Sequence, residues 1–452
     1  MACTEDSSMA RKPGSRLGRL AKLGSLTANV TSRYVGGALR SAFQDEDAKR
    51  KAMERLHIDN ARQIVATVGR MRGAAQKLGQ QLAQAASSLD LPPEVARTLS
   101  TLNSDAEPVP FEHIREDVEA ELGAPLRELF RWFDPEPLGT ASLGQAHVAK
   151  LHDGTEVVVK VLHRGVEEGM EADLLAVRAL LLSGRFVRRD KAEVEEAFEE
   201  IKERLAEELD YLQEAANIQT YQELFGDDPR VRVPRLHAKL CTERVLTMDR
   251  LPGRHIDAWL EGGASREARQ RAGETLVDIY YQQLFRHRTL LADPHPGNYL
   301  FEDDGRVGLL DFGCVKRFDE FWIGTYARAA YSTKLDDRQA TLEAAEQLGA
   351  WDGTDPEDGQ LIWDFCEIIG QGFRKGAFTI GSGHESLMEE MRPLGKRFIR
   401  RPTVHIPGHV LFAHRALGGL YALLRTLEVT LDFGAILEQH ATYAIARAEG
   451  RL

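Results

Sequence analysis

Length, composition and charge limit what this chain can be. Its 452 residues correspond to roughly two to four domains of ordinary size, so a large hydrophobic core can form. Hydrophobic residues make up 43% of the chain and charged residues 28%, which excludes a wholly disordered or fibrous protein. The net charge of −12 argues against a general nucleic-acid-binding protein, because such proteins need basic surface to replace phosphate counterions.

The cysteines and the apolar runs bear on the compartment. Cys3, Cys241, Cys314 and Cys366 are scattered without a CxxC motif, so we predict neither a zinc site nor a disulfide framework. A reducing, cytoplasmic setting fits this usage best. The apolar run at 416–424 is far shorter than the ~20 residues that a membrane-spanning helix needs, so we expect no such helix and no cleaved leader.

Residues 1–44 form a basic arm in an otherwise acidic chain. Seven basic residues and no acidic one lie between Ser7 and Phe43. Leucines recur at every third position from Leu17 to Leu26, as in a short amphipathic helix that lies on anionic lipid. This pattern predicts peripheral contact with the inner face of a membrane. The alternative is a packing arm whose cations meet the protein's own acidic surface.

Residues 45–110 are predicted to form an N-terminal helical extension. The segment is rich in Ala, Gln, Leu, Arg and Lys, and it contains no proline before Pro92. Gly73, Lys77 and Gln80 are spaced i, i+4 and i+7, so they share one helix face. The alternative to a functional role for this face is a helix–helix contact with a solvated lysine.

Residues 111–250 are predicted to contain a small β-rich region. Two strands, 148–152 and 156–160, flank Asp153-Gly154, a typical hairpin turn, and a further strand covers 244–248. The stretch 137–147 before the first strand is rich in small residues. Such a loop lets backbone N–H groups approach phosphate oxygens.

A long acidic helix is predicted from about Lys191 to Tyr221, with an apolar stripe at helical spacing. On a continuous helix, Asp210 and Glu214 lie together on the far side from this stripe. Glu208 falls at the edge of the stripe, where an unpaired carboxylate is costly, so it is expected to have a cationic partner. The alternative is that all these acids are solvated.

The strongest chemical signal is a pair of short motifs within the predominantly helical segment 251–452. Asp293 and Asn298 belong to Ala-Asp-Pro-His-Pro-Gly-Asn, and Asp311 begins an Asp-Phe-Gly after a predicted hairpin, 299–310. This order is typical of kinase catalytic loops. Asp311 and Asn298 offer oxygen ligands to a magnesium ion that carries a triphosphate, and Asp293 can orient an attacking hydroxyl or water.

A strand lysine and a hinge segment complete the kinase-like pattern. Lys160, at the end of Val-Val-Val-Lys, would hold the α- and β-phosphates, with a helix carboxylate fixing its position. Residues 247–251 lie where a kinase hinge presents backbone groups to adenine. The order, spacing and strand context of these motifs together predict a nucleotide-binding enzyme rather than a chance Asp-Phe-Gly turn.

These motifs resemble those of the UbiB/AarF/ADCK atypical kinases, which are associated with coenzyme Q. The resemblance covers roughly residues 60–425 and rests on Lys77-Leu-Gly-Gln80, the loop 139–147, Lys160, Glu208-Leu-Asp210, and the two motifs that contain Asp293 and Asp311. It implies an α+β, bilobal protein-kinase-like fold. The small β-rich N-lobe would be residues 111–250, the helical C-lobe 251–452, and the helical extension would pack across the cleft.

The resemblance also implies roles for particular residues. Lys77 and Gln80 would reach into the active site and hinder protein substrates, with Glu208 and Asp210 as their partners. Glu214 would pair with Lys160, although the helical periodicity leaves open which acid serves which lysine. Asp293, Lys160 and Glu214 would be catalytic, and Asn298 and Asp311 would bind Mg²⁺. The residues expected to contact ATP are Gly139, Thr140, Ala141, Ser142, Lys160, Met248 and Asp249.

Three functions remain open at this level. The first is a slow ATPase or small-molecule phosphotransferase that uses ATP and Mg²⁺ in or near isoprenoid-quinone metabolism, with an isoprenoid lipid or quinone-pathway proteins as partners. The second is a nucleotide-dependent scaffold or pseudokinase. The third is a true protein kinase. Intact Lys160, Asp293, Asn298 and Asp311 favour chemistry over a scaffold, whereas Lys77 and Gln80 count against bulky protein substrates.

Overall fold

A computed structural model describes the chain from residue 108 onward, with gaps. The described residues are 108–140, 143–166, 174, 199, 201–202, 205–206, 209–293, 295–380, 393–395, 397–398, 401, 403–404 and 407–452. They divide into two compact units. The first unit holds the described part of Met1–Gln213 and His237–Asp249, and the second holds Glu214–Leu236 and Arg250–Leu452.

Helices and strands alternate in the first half of this region, and helices dominate the second half. The strands are β1 (Trp132–Thr140), β2 (Gly144–Lys150), β3 (Glu156–Leu162), β4 (Val231–Arg232), β5 (Val245–Asp249), β6 (Thr289–Leu291), β7 (Tyr299–Phe301), β8 (Val307–Leu309), β9 (Val315–Arg317), β10 (Phe378–Thr379) and β11 (Thr430–Leu431). The α-helices are α1 (Phe111–Leu122), α2 (Leu126–Leu129), α3 (Tyr211–Phe225), α4 (Ile256–Glu261), α5 (Arg266–Tyr281), α6 (Glu320–Lys334), α7 (Arg338–Gln347), α8 (Pro356–Arg374), α9 (Gly408–Leu427) and α10 (Phe433–Ala448).

The first unit is built on a four-stranded antiparallel sheet in the order β1-β2-β3-β5. Alternate valines of β3, Val157, Val159 and Val161, pack in one hydrophobic cluster with Ile114 and Val118 of α1. Because successive side chains of a strand point to opposite faces, this packing places Lys160 on the other face of the sheet. The alternation of the strand therefore orients the lysine.

The predicted Asp-Gly hairpin is confirmed between β2 and β3. Gly154 has φ +94°, a conformation that glycine adopts without steric cost, and the Asp153 carboxylate accepts a hydrogen bond from the Thr155 N–H at 2.9 Å. Strand β1 is not among the predicted elements. It contains Pro135 and Pro137, which a sheet tolerates at an edge, and its pairing with β2 is irregular there.

The prediction of one helix from about 191 to 221 is wrong at its C-terminal end. The chain leaves the helical conformation at Leu209–Asp210, and α3 begins at Tyr211. The Asp210 carboxylate accepts a hydrogen bond from the Gln213 N–H at 2.9 Å, as a helix N-cap does. Asp210 therefore precedes α3, and it does not share a helix face with Glu214.

The second unit contains two small sheets around a motif-bearing segment, followed by helices. Strands β4, β8 and β7 form one sheet, and β6 pairs with β9. The hairpin predicted across 299–310 is confirmed as β7 and β8, joined by a turn at Asp304–Gly305. Within the described part of the chain, no helix is long and apolar enough to cross a membrane.

Candidate nucleotide-binding site

Two backbone hydrogen bonds hold the motifs of the second unit side by side. The Ala292 N–H, next to Asp293, donates to the Cys314 carbonyl at 2.9 Å. The Leu310 N–H, next to Asp311, donates to the Asn298 carbonyl at 3.0 Å. Each bond joins a residue of one loop to a residue of the other. The β7–β8 hairpin thus brings together Asp293, Asn298 and Asp311, the three polar residues that the sequence analysis selected. Asp293 and Asp311 are 18 positions apart in the sequence.

Asn298 has a defined orientation beside Asp293. Its amide nitrogen donates to the Asp293 carbonyl at 3.2 Å and to the Asp293 carboxylate at 3.3 Å. Both partners can only accept, so the nitrogen must face them and the amide oxygen points elsewhere. The Asp293 side chain is exposed. This arrangement leaves Asn298 Oδ1 for a cation and Asp293 for an incoming group.

Asp311 makes a hydrogen bond within its own motif through one of its two carboxylate oxygens. Oδ1 accepts a hydrogen bond from the Gly313 N–H at 2.9 Å, which closes the Asp-Phe-Gly turn. No cluster of three or more His, Cys, Asp or Glu side chains suitable for a metal occurs among the described residues. A two-oxygen protein site fits magnesium, which usually takes its other ligands from water and substrate phosphates. Asn298 Oδ1 and Asp311 Oδ2 would supply those two oxygens.

Phe312 anchors the second motif to α3. The ring is fully buried and packs edge-on against Tyr221 at 5.3 Å between centroids. Its backbone is bound at both ends: the Asn217 amide donates to the Phe312 carbonyl at 2.8 Å, and the Phe312 N–H lies 3.4 Å from a carboxylate oxygen of buried Glu214. Glu214 is therefore tied to the Asp-Phe-Gly motif. Its pairing with Lys160 stays a prediction.

Arg415 of α9 is a site residue that the sequence analysis missed. Its guanidinium donates two hydrogen bonds to the Ala292 carbonyl, at 3.1 Å from Nε and 2.6 Å from Nη2. Ala292 itself is completely buried and precedes Asp293. An arginine over a hundred residues away gave no local signal, because only the packing of α9 brings it to this loop. The Arg415 guanidinium therefore holds the backbone immediately before Asp293.

In the first unit, the small-residue loop follows β1. Gly139 and Thr140 end β1 and pair with Ala146 and Gln145 of β2, whereas Ala141 and Ser142 lie outside the described residues. Gly144, where β2 begins, would carry a Cβ only 2.5 Å from the Val161 carbonyl oxygen, so the close pairing of β2 with β3 requires glycine there. The loop is held between two paired strands.

A buried polar network supports this hairpin. Gln145 accepts a hydrogen bond from the Val109 N–H at 2.9 Å, and its amide nitrogen lies 2.9 Å from His147 Nε2. His147 Nδ1 lies 2.8 Å from the Asp134 carbonyl, which can only accept, so Nδ1 carries the proton and Nε2 accepts from Gln145. Burial lowers the pKa of His147, which favours this neutral tautomer. Both residues therefore serve the loop's structure.

The predicted hinge residues end β5. Met248 is buried and pairs with Val158, and Asp249 pairs with Val157. The Asp249 carboxylate lies 2.7 Å from His237 Nε2, a partner that sequence reasoning did not find. His237 thus fixes the side chain of Asp249, the predicted hinge residue. The backbone N–H of His237 donates to the Thr247 carbonyl at 2.9 Å.

The predicted regulatory residues are placed only in part. Lys77, Gln80 and Glu208 lie outside the described residues, as does the basic arm 1–44. Asp210 is described, and the contact it makes to Gln213 is that of a helix cap. The association of these residues in a gate stays a prediction.

Comparison with known proteins identifies the family. A family model described as the ABC1 atypical kinase-like domain matches residues 101–345, more than half of the chain. The chain belongs to the ABC1 atypical kinase family. The resemblance predicted from the motifs is thereby confirmed.

Relatives of the ABC1 family match across most of the chain. Atypical kinase COQ8B, mitochondrial, of Rattus norvegicus is 30% identical over 437 residues, covering 92% of this chain and 79% of the rat protein. Atypical kinase COQ8, mitochondrial, of Saccharomyces cerevisiae is 29% identical, covering 96% and 86%. Atypical kinase coq-8, mitochondrial, of Caenorhabditis elegans is 29% identical and covers 95% of this chain, which spans only 58% of the nematode protein.

A solved structure supports the fold. The complex of Rv3197 with erythromycin from Mycobacterium tuberculosis matches with a TM-score of 0.60 at 23% identity, covering 87% of this chain and 98% of that one. At this identity the likeness concerns the fold alone. Together with the family match, it confirms the predicted kinase-like α+β fold.

Proposed function

We propose that this protein is a magnesium-dependent, ATP-binding kinase-like enzyme that acts as an ATPase or a small-molecule phosphotransferase. The observation that carries the proposal is the pair of backbone hydrogen bonds, from Ala292 to Cys314 and from Leu310 to Asn298, that holds Asp293, Asn298 and Asp311 in one place. Membership of the ABC1 family supports it. Positioned oxygen ligands and a positioned carboxylate are what phosphoryl transfer requires of a protein.

Each residue has a proposed task. Asn298 Oδ1 and Asp311 Oδ2 would hold Mg²⁺, which when bound neutralises charge on the phosphates. Lys160 would bind the α- and β-phosphates, and Glu214 would orient this lysine. The exposed Asp293 carboxylate would accept the proton of an attacking hydroxyl or water. Gly139–Ser142 would cover the phosphates, and the backbone at Met248 and Asp249 would face adenine.

The wider context is part of the same proposal. The acceptor would belong to isoprenoid-quinone or related lipid metabolism, in keeping with the resemblance to coenzyme Q-associated kinases. Lys77 and Gln80, with Glu208 and Asp210, would hinder bulky protein substrates. The basic arm 1–44 would make peripheral contact with a membrane. The setting would be reducing and cytoplasmic, because the scattered cysteines contain no CxxC motif and suggest no disulfide framework.

Phosphate release from ATP by the full chain tests this function. It would be measured with and without liposomes, and phosphate incorporation into a generic protein acceptor would be measured in parallel. Asp293→Asn is expected to slow release by about 100-fold or more, as loss of a general base does. Asp227→Asn, the same change at an exposed loop position, provides the control.

The outcomes separate the alternatives. Release that depends on Asp293 without incorporation into protein supports an ATPase or small-molecule enzyme. Efficient incorporation into the protein acceptor would point to a true protein kinase instead. Nucleotide binding with turnover that is negligible, or equal in the parent and Asp293→Asn, would leave a nucleotide-dependent scaffold.

A further inference from the structure

A cavity lies among the C-terminal helices of the second unit. It has a volume of about 120 Å³ and is lined by residues of α6, α7, α8 and α9, with a few from the segments between them. Most of its wall is aliphatic or aromatic, and none of the lining residues that the structure describes is Asp, Glu, Lys or Arg. None belongs to the loops that contain Asp293 and Asp311. An ionised ligand would lose its hydration here without gaining a charged partner, so the wall selects for an uncharged one.

Several hydrogen-bonding groups interrupt this apolar wall, and two of them are the His414 ring and the Tyr326 hydroxyl. The hydroxyl groups of Thr333 and Thr341, which also line the cavity, donate to backbone carbonyls of the protein. His414 of α9 stacks on Phe365 at 5.6 Å and lies 6.0 Å from the ring of Tyr326. Neither the His414 ring nitrogens nor the Tyr326 hydroxyl hydrogen-bonds to any residue that the structure describes, although both side chains line the cavity. Polar groups inside a protein are nearly always partnered, because leaving one unpaired costs free energy. A ligand inside the cavity could hydrogen-bond to the His414 ring and the Tyr326 hydroxyl.

The state of His414 indicates what that partner would be. Burial lowers the pKa of His414 to about 4, so the ring is neutral near pH 7. A neutral imidazole has one N–H donor and one acceptor nitrogen. A hydroxyl group can satisfy either, since it both donates and accepts. A carboxylate or an amine would instead bring a charge into the apolar wall.

We propose that this cavity is a binding site for a small uncharged alcohol, with a hydrocarbon body against the aliphatic wall and a hydroxyl at His414. An apolar cavity of about 150 Å³ in another protein takes benzene, and the volume here is somewhat smaller, so the hydrocarbon body should contain no more than about six carbons. The proposal concerns binding alone and does not depend on ATP or on Asp293.

Cyclohexanol and its hydrocarbon analogue methylcyclohexane are matched probes for the full chain. Binding would be measured by ligand-observed NMR titration and by the rise in melting temperature that a native-state ligand produces. The parent is expected to bind both. His414→Phe keeps the aromatic stack on Phe365 and removes the hydrogen bond, so cyclohexanol should bind about 3- to 10-fold more weakly while methylcyclohexane is unaffected.

Filling the cavity tests its location. Ala330→Leu on α6 and, independently, Val410→Phe on α9 add carbon atoms to the wall from two different helices, so either should abolish the binding of both probes. Ala422→Leu, at an exposed position of α9 outside the lining, should change nothing. The proposal is overturned if the parent binds neither probe, or if a folded filled variant binds both probes as the parent does. It is also overturned if His414→Phe binds cyclohexanol as tightly as the parent does, because water would then occupy the polar end of the cavity.

Discussion

At the scale of single residues, the candidate site depends on side chains that do two things at once. Asp311 closes its own turn through Oδ1, and Asn298 binds Asp293 through its amide nitrogen. Asp311 Oδ2 and Asn298 Oδ1 would then hold the proposed metal. Each residue is thereby held rigid by one half of its polar group. Rigid ligands favour binding, because less conformational freedom is lost when the metal and the nucleotide arrive.

The first prediction concerns Asp311→Asn. The amide keeps the shape and can still accept from the Gly313 N–H, but it removes the negative charge that Mg²⁺ needs. In the parent, ATP should raise the melting temperature only when Mg²⁺ is present. In the variant, the effect of ATP on the melting temperature should be the same with and without Mg²⁺. Asp227→Asn serves as the matched control. An equal rise in parent and variant, with or without magnesium, would contradict the metal assignment.

The second prediction concerns Lys77, which lies outside the described residues. It shares a predicted helix face with Gly73 and Gln80. Glu208 lies at the edge of the apolar stripe of the predicted acidic helix, where an unpaired carboxylate is costly, so it is expected to pair with a cation such as Lys77. Lys77→Ala should therefore change the affinity for ATP or the rate of phosphate release, whereas Lys51→Ala in the same predicted helical segment should not. An unchanged ATP titration and unchanged release would return Lys77 to a solvated surface.

At the scale of elements, the loop that contains Asp293 is held by parts of the chain that are distant in sequence. Strands β6 and β9, which precede and follow the two motifs in the sequence, pair with each other. Ala292 directly follows β6. Helix α9 reaches the same residue through Arg415, whose guanidinium also lies 5.7 Å from the ring of Phe412. The position of Asp293 therefore depends on a helix that contributes nothing to the motif.

The third prediction is that Arg415 positions Asp293. Arg415→Lys retains the charge but loses the planar fork that donates twice to the Ala292 carbonyl. Turnover of ATP should fall about 10-fold, with little change in the affinity for ATP, because the loop carrying the base shifts while the phosphate ligands stay. Arg425→Lys on the same helix, at an exposed position, is the control. Equal turnover in both variants would limit Arg415 to helix packing.

The fourth prediction concerns the basic arm as an element. Each cation near an anionic membrane contributes ~1 kcal/mol, so its seven basic residues suffice for reversible attachment. In liposome flotation, binding of the full chain should require anionic lipid, weaken as salt rises, and fall when residues 1–40 are removed. Equal flotation with neutral lipid, or flotation that survives the truncation, would favour the packing-arm alternative.

At the scale of the whole molecule, three histidines with lowered pKa values link stability to pH. Burial lowers the pKa of His147, His287 and His414, and the Arg286 charge adds to the effect at His287. Their model-peptide value is about 6.5, so below that pH the unfolded chain binds more protons than the folded one. Stability contributed by the neutral rings is thus present above pH 6.5 and is lost as the pH falls.

The fifth prediction measures this link at His414, whose pKa is lowered to about 4. Between pH 7.5 and pH 5, this shift costs the parent about 2 kcal/mol of unfolding free energy. His414→Phe cannot bind the proton, so its free energy of unfolding in urea should fall by about 2 kcal/mol less over the same range. An identical loss in the parent and the variant would contradict the lowered pKa.

The sequence by itself determined the local parts of this protein. The Asp-Gly turns, the alternating valines of β3 and the two motifs around Asp293 and Asp311 could be predicted because their signals lie within a few neighbouring residues. The family followed from the two motifs together with Lys77-Leu-Gly-Gln80, the loop 139–147, Lys160 and Glu208-Leu-Asp210. The break at Asp210 was missed, because helical periodicity continues through a position at which the side chain caps the next helix.

Only the tertiary structure decided which distant residues support the site. Arg415 lies 123 positions from Ala292, and His237 lies 12 positions from Asp249 across a strand. The cavity beside His414 is formed by four helices, none of which carries a sequence signal for it. Periodicity and turn chemistry act over a few residues, whereas these contacts depend on how whole elements pack, and packing is set by the combined shape of many side chains.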